Sequence, residues 1–433
     1  MIRLLNKKMS LLVLLFLLII ITGWRAFSIV DAYAPNIYFW DRWRTMEPVF
    51  NNLGFFEGFA FQHGQHRLGL IYWLFEINAH FSNFSGRADM FLQAALYVVA
   101  ALFGLKLKYK LFQCLKWTDV IIPLVFLTPA AAETYTGSPY VHGLVPVMAL
   151  GFAYLYTIKV SIFRSIVITF FMVIAAFSGF AMVVVVAVVA VQLLASVQYP
   201  EGRYRELGVA LIGCATLLLI YATNTPGEPI AGYALSLGEV YQYSVVLLCD
   251  LFIVSTTLKD IVIASILLLS ASVLAVRHIN GSFEITLTAG HYSIITLLGS
   301  SLVFTVFNIL GRAHMGIDNA LADRYIPVGM CFGLGLYFLI LTVPERWTRV
   351  GGSIILFSLL VRVHIHSSGP LNKIKNRYYE IKEWEVCLKK TGQFNSCVEQ
   401  VSNKNALHPN PLKGEIQGKL DFLRENNLNI YKD

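Results

Sequence analysis

Apolar runs separated by short polar segments recur along the whole chain, a pattern that predicts helices long enough to cross a bilayer. The first run, about 9–22, follows Arg3, Lys7 and Lys8 and reads as an uncleaved anchor with a cytoplasmic N-terminus. A cleaved signal peptide is the rival reading, because Ala32-Tyr33-Ala34 has the A-x-A form. That triplet lies well past the apolar run, however, and Pro35 follows it directly. Further spans are expected near 90–106, 119–131, 141–158, 163–177, 180–198, 207–222, 258–277, 291–309, 325–342 and 349–363. The runs 119–131 and 163–177 are short for a hydrocarbon core of about 30 Å, so they extend further or are broken and buried against other helices.

Two apolar stretches, 66–82 and 240–256, are ambiguous, and the basic segments arbitrate. Lys106/Lys108/Lys110, Lys159/Arg164, Arg203/Arg205, Arg277/His278 and Arg346/Arg349 all fall on the cytoplasmic side if both stretches lie on or dip into the outer face. The expected fold is therefore an all-α integral membrane protein of about eleven spans. Its N-terminus is cytoplasmic, and residues 1–363 form the membrane domain. The polar tail 364–433 lies on the opposite side. Segments 31–89, 132–141, 223–257 and 310–325 share that outer face with the tail. Helices are expected at 376–390 and 414–425, and no internal repeat is evident.

Composition agrees: 56% of the 433 residues are hydrophobic and 14% charged, with mean hydropathy +0.62. A soluble domain carries about 25% charged residues. The excess of 34 Lys+Arg over 26 Asp+Glu follows from positively charged cytoplasmic loops, and no nucleic-acid partner is expected. Six cysteines are too few for a disulfide framework. Cys387 and Cys397 close a small loop if the tail faces an oxidising compartment, and are free thiols if it does not.

Four outer segments carry candidate chemistry. Phe39-Trp40-Asp41-Arg42-Trp43-Arg44 offers Asp41 as a general base for an acceptor hydroxyl. Its alternative is an interfacial tryptophan pair with Asp41 bound to Arg42 or Arg44. In Gln62-His63-Gly64-Gln65-His66-Arg67, two histidines without a third ligand make a weak metal signal. Anion binding or acceptor positioning by His66 and Arg67 is the preferred reading. Between two spans, Glu133 and His142 stand out as hydroxyl-binding groups for a sugar, although Gly137 and Pro139 have a simple turn explanation. The segment 311–325 holds Arg312, His314, Asp318, Asp323 and Arg324 between apolar helices. Such a mixture suits a lipid phosphate neutralised by Arg312 and Arg324, with Asp323 orienting an arginine; an interhelical ion-pair network is the alternative.

Trp40-Asp41 after the first span, Gln65-His66-Arg67, and Arg312 followed by Ala320-x-x-Asp323-Arg324-Tyr325 together resemble bacterial multispanning glycosyltransferases of the GT-C type. The nearest likeness is to the O-antigen-modifying, serotype-converting glucosyltransferases. The close 420–431 is similar to the short amphipathic ending of that group. In many of its members the middle motif reads Glu-His-Arg and the late one Ser-Arg-Tyr, where this chain has Gln65 and Asp323.

The resemblance implies a bacterial inner-membrane enzyme with its site on the periplasmic face. A hexose, glucose in that group, would pass from a polyprenyl-phosphate donor to a lipid-linked O-antigen or other envelope glycan. A separate synthase and flippase would supply the donor. Asp41 would be the base, Arg312 and Arg324 the donor-phosphate ligands, and Trp40, His66, Arg67, Glu133, His142, Asp323 and Tyr325 the acceptor and sugar contacts. Gln65 leaves the role of the middle motif open. The wider fold is mixed in metal dependence, so the resemblance assigns no metal or other cofactor. A polysaccharide polymerase or ligase and a lipid-linked sugar transporter are the competing classes.

Overall fold

A computed structural model describes residues 2–432 apart from 65, 138–139, 199–201, 226–235, 254, 281–287 and 408–412. Every expected apolar run contains a helix. The first helix, Ile2–Tyr33, is longer than its apolar run, so the outer segment expected from residue 31 starts after Tyr33. It ends four residues earlier than residue 89 as well, because the next long helix occupies Gly86–Phe112. Among the described residues, seven helices are long and apolar enough to cross a membrane, with three shorter apolar ones at Leu144–Leu155, Ile162–Ala176 and Leu237–Cys249. The protein is thus an all-α, multi-pass membrane bundle.

The centre of the bundle is the helix Ile326–Thr342, whose residues from Ile326 to Leu341 are all buried. Its sequence, rich in Gly, Leu and Phe, is apolar on every face, as a fully enclosed helix requires. Ala289–Arg312 packs beside it and also against Met182–Gln198, which in turn lies along Arg203–Thr223. Peripheral helices turn Leu, Ile, Val and Phe outward, as a lipid-facing surface allows.

The run 119–131 does not form one straight helix. It breaks into Trp117–Val120, Ile121–Phe126 and Pro129–Ala131, wholly buried from Ile121 to Ala131. Buried packing against neighbouring helices lets it stop short of membrane length. At that end of the bundle Lys108 pairs with Asp119 at 2.9 Å, both fully buried, and the Tyr337 hydroxyl donates to the other Asp119 oxygen at 2.6 Å. Lys108 therefore sits in the last turns of a helix and anchors its end, where a solvated loop was expected.

The ambiguous stretch 66–82 forms a hairpin, Gln62–His63 with His66–Arg67, followed by the helix Leu70–Ser82. Thirteen residues reach about 20 Å, too short to span. The tail contributes Ser368–Thr391, Phe394–Val398 and Lys413–Glu425, so both expected tail helices exist and the first is longer at its start. Cys387 and Cys397 are joined as a disulfide.

The tail packs down on the first outer segment. Lys419 Nζ donates to the Trp43 carbonyl at 2.7 Å, and Phe422 meets Phe50 and Phe84 edge-on. Asn429 binds the backbone of Asn36 and Asn83, which ties the end of the chain to the two flanks of that segment.

Candidate functional site

Trp40 adopts φ 52°, a left-handed backbone that an L-residue takes only when its surroundings enforce it. Its N–H donates to the Leu407 carbonyl of the tail at 2.6 Å. The turn that follows starts a short helix, Arg42–Thr45, and leaves Asp41 exposed at its head. The pairing of Asp41 with its neighbour, one reading of the sequence, is not made. Arg42 turns inward to a buried ion pair with Asp89 and stacks over Tyr38 at 4.7 Å. Asp89 also accepts from Asn78 at 2.6 Å and from the Tyr140 hydroxyl at 3.2 Å. Among the described residues Asp41 enters no ion pair.

The hairpin sets His63 directly opposite His66, with Gly64 at φ 57° in the turn. A spacing of three suits one face of a helix, but here it spans a two-residue turn, which only a residue tolerant of positive φ opens. Gln65, also in this motif, lies outside the described residues. His63 is within electrostatic range of Asp41 and Glu47. The His66 ring packs at a tilt against Phe180, 4.1 Å between centroids, and feels both His63 and Arg312. Burial, with those two neighbours, pushes its pKa down to about 4, so the imidazole is neutral.

Arg67 commits its guanidinium elsewhere. It donates to Asn224 Oδ1 at 2.7 Å, to the Ala60 carbonyl at 2.6 Å and to the Thr223 carbonyl at 2.7 Å. It ties the hairpin to the end of the helix Arg203–Thr223, a positioning role.

Arg312 ends its long helix and donates to the Tyr325 hydroxyl at 2.8 Å. Three successive short 3-10 turns then carry the chain back to Arg324, whose guanidinium lies 5.3 Å over the same tyrosine ring. Tyr325 therefore contacts both cations. His142, 5% exposed, stacks on Phe180 at 4.4 Å and meets Tyr325 edge-on. Burial first, then Arg324 and Arg312, holds its pKa well below the usual imidazole range.

Glu133 lies in a short buried helix, Ala132–Thr136, and not in an open loop. Two tail side chains that the sequence reading did not single out reach it. Lys373 Nζ donates to Glu133 at 3.2 Å, and Arg377 pairs with it at 3.4 Å while lying 4.0 Å over the Trp40 ring. Lys373 is also 3.9 Å from Asp323. Burial alone would raise the Glu133 pKa, but Arg377, Lys373 and Arg324 outweigh it and hold the carboxyl below its ordinary value. The usable signal was the spacing of four between Lys373 and Arg377, which puts both on one helical face.

These contacts form one continuous cluster running from Trp40 through Arg377, Glu133 and Arg324 to Tyr325, His142 and His66. Among the described residues, several of its buried polar atoms have no hydrogen-bond partner: both His142 ring nitrogens, His66 Nδ1, Asp323 Oδ2 and Arg324 Nε. Others occur elsewhere in the bundle, but these five share one cluster, which suits a polar ligand. Beside them opens a groove of about 830 Å³. Arg312 and His66 stand at its polar side, and Met182, Leu217, Ile220 and Phe304 make its apolar wall.

No group of three or more His, Cys, Asp or Glu side chains arranged to hold a metal occurs among the described residues. At the groove Arg312 can meet an anion beside an apolar wall, with Arg324 close by on the shared Tyr325 ring. No protein-family model, curated protein or solved structure matches the chain.

Proposed function

We propose that the protein is a membrane glycosyltransferase. It moves a hexose from a polyprenyl-phosphate donor to a lipid-linked envelope glycan, in line with the resemblance of its motifs to GT-C enzymes. One juxtaposition supports the reading: Arg312, which borders an apolar groove, shares Tyr325 with Arg324, while the exposed carboxylate of Asp41 lies within electrostatic range of His63 in the neighbouring hairpin. Phosphate chemistry and proton-accepting chemistry thus come from sequence segments far apart.

In this mechanism the polyprenyl chain lies along the groove and its phosphate meets the two arginines. Asp41 accepts the proton of the acceptor hydroxyl as that oxygen bonds to the anomeric carbon. The bond from that carbon to the phosphate oxygen breaks, and its electron pair leaves on polyprenyl phosphate. A phosphate leaving group needs charge neutralisation more than a strong acid, so one carboxylate with two guanidinium groups suffices. Glycosidases, by contrast, place two carboxyl groups about the bond. Trp40, Glu133, His142 and Asp323 are the sugar and acceptor contacts.

Mass spectrometry of envelope glycans from matched cells with and without the gene tests the reading. The expected result is one added hexose per repeat, lost with Asp41→Asn at unchanged protein level. An altered chain length with an unchanged repeat mass would identify a polymerase or ligase. No glycan change in cells supplied with the donor would identify a transporter.

A further inference from the structure

The helix Leu70–Ser82 is apolar on two opposite faces. Ile71, Tyr72, Phe75 and Ala79 are buried in the protein. Leu70, Trp73, Leu74, Ile77 and Phe81 recur at helical spacing on the other side, where Ile77 is 56% and Phe81 86% exposed. Between the faces, Glu76 and His80 pair along one flank at 3.0 Å. The short helix Phe55–Ala60 adds Phe55 and Phe56 to the outward side, the latter 79% exposed. Phe55 stacks on Trp73 at 4.5 Å, so the two helices share one aromatic surface. Trp73 Nε1 donates to the Phe55 carbonyl at 3.3 Å, which leaves the indole with no need of water.

That surface continues onto an apolar helix of the bundle. Phe59 packs against Trp73 at 4.6 Å and against Phe177 at 5.2 Å, and Phe177 closes the helix Ile162–Ala176. Ser178 Oγ accepts from the Leu70 N–H at 2.9 Å, and Gly69 presses on the Phe177 carbonyl, where a Cβ would collide. The helix Leu70–Ser82 therefore starts at the end of Ile162–Ala176 remote from the buried Arg164–Glu206 pair. Ile166 and Phe170 of that bundle helix are exposed as well. We propose that the surface of Phe55, Phe56, Ile77 and Phe81 is inserted among the acyl chains of the adjoining membrane leaflet, with the Glu76–His80 flank in the headgroup layer. Lipid is the occupant because the exposed face runs through Phe59 and Phe177 onto a helix whose outward side chains already face the bilayer. The strands Gln62–His63 and His66–Arg67 join the two inserted helices, so this anchor holds both histidines at the membrane boundary. The inference does not depend on the glycosyl-transfer reading.

Spin labels test it, placed singly on Phe56→Cys and Phe81→Cys in full-length protein in nanodiscs, with Cys114→Ser removing an exposed thiol. Power saturation compares collisions with oxygen, which partitions into lipid, and with a water-soluble nickel chelate. Phe170→Cys, on the apolar helix, reports lipid, and Lys404→Cys, exposed in the tail, reports water. The signal of the unsubstituted background is subtracted, and each variant elutes normally on gel filtration. The expected result at both positions is a several-fold excess of oxygen over chelate collisions, matching Phe170→Cys. Chelate collisions as frequent as at Lys404→Cys overturn the proposal. Shielding from both reagents overturns it too, since that would seat a second copy of the chain on this face.

Discussion

Arg377 lies 4.0 Å over the face of Trp40 and at the same time 3.4 Å from Glu133. One tail side chain thus joins the residue before the candidate base to the acid behind the arginine loop. Arg377→Ala is expected to lower transfer about tenfold in folded protein, because a part-buried cation–π contact is worth about 1–2 kcal/mol. Arg377→Lys should not restore it, since a compact ammonium cannot lie flat on the indole and bridge to the carboxylate together. Hexose increments per repeat, normalised to protein level, check both variants.

Arg42 and Asp41 are neighbours with opposite roles. Arg42 and Asp89 form an ion pair with side chains 4% and 3% exposed, and removing one partner strands the other charge. Arg42→Ala should cost about 3–5 kcal/mol and deplete folded protein. The paired change Arg42→Met with Asp89→Leu should recover much of that loss. Asp41→Asn should leave the melting temperature in detergent unchanged, since Asp41 is exposed and enters no ion pair among the described residues. A thermal shift series separates the two behaviours.

The bond from Cys387 to Cys397 closes a loop of sequence separation 10 at the end of the tail helix that carries Lys373 and Arg377. Its loss by Cys387→Ser is expected to destabilise the tail by about 2–3 kcal/mol and to increase protease cutting there. On intact cells, a membrane-impermeant maleimide should label the pair only after reduction. Labelling from the outside without a reductant would mean free thiols.

Acid should weaken the fold in a defined window. His66 and His142 stay neutral in the folded state, with His66 held at about 4, and both protonate when unfolded near 6.5. The unfolded chain therefore binds more protons across that window. The contribution of these two histidines is full above pH 7 and falls as pH drops from about 6.5 towards 4, by about 1.4 kcal/mol per pH unit for each group. Glu133 works in the same direction at lower pH, because its depressed pKa contributes stability that is lost as the carboxyl protonates. His142→Phe keeps the stack on Phe180 and should flatten the slope between pH 6.5 and 4 in melting curves.

Much of the fold was legible because burial in lipid imposes a length and an apolar composition that no other constraint overrides. The short run near 119–131 shows where that signal stops: a segment enclosed by protein need not reach across the bilayer. The site was legible only in part. Asp41, Arg312 and Arg324 stand out as charges at the ends of apolar runs. Lys373 and Arg377 sit in a mixed, polar helix, where a surface lysine and a site lysine look alike until the tail is folded onto the first outer segment. The spacing of three between His63 and His66 leaves helix and hairpin open, and the turn at Gly64 decides for the hairpin.

The most direct test of the account is transfer by the purified protein in nanodiscs, given polyprenyl-phosphate hexose labelled in the sugar and a lipid-linked O-antigen acceptor. The account predicts that label moves to the acceptor, one hexose per repeat, with release of polyprenyl phosphate. It predicts that Asp41→Asn binds the donor but transfers nothing, and that Arg312→Ala weakens donor binding. Transfer by Asp41→Asn at the wild-type rate, or no transfer by folded wild-type protein that binds the donor, would contradict it.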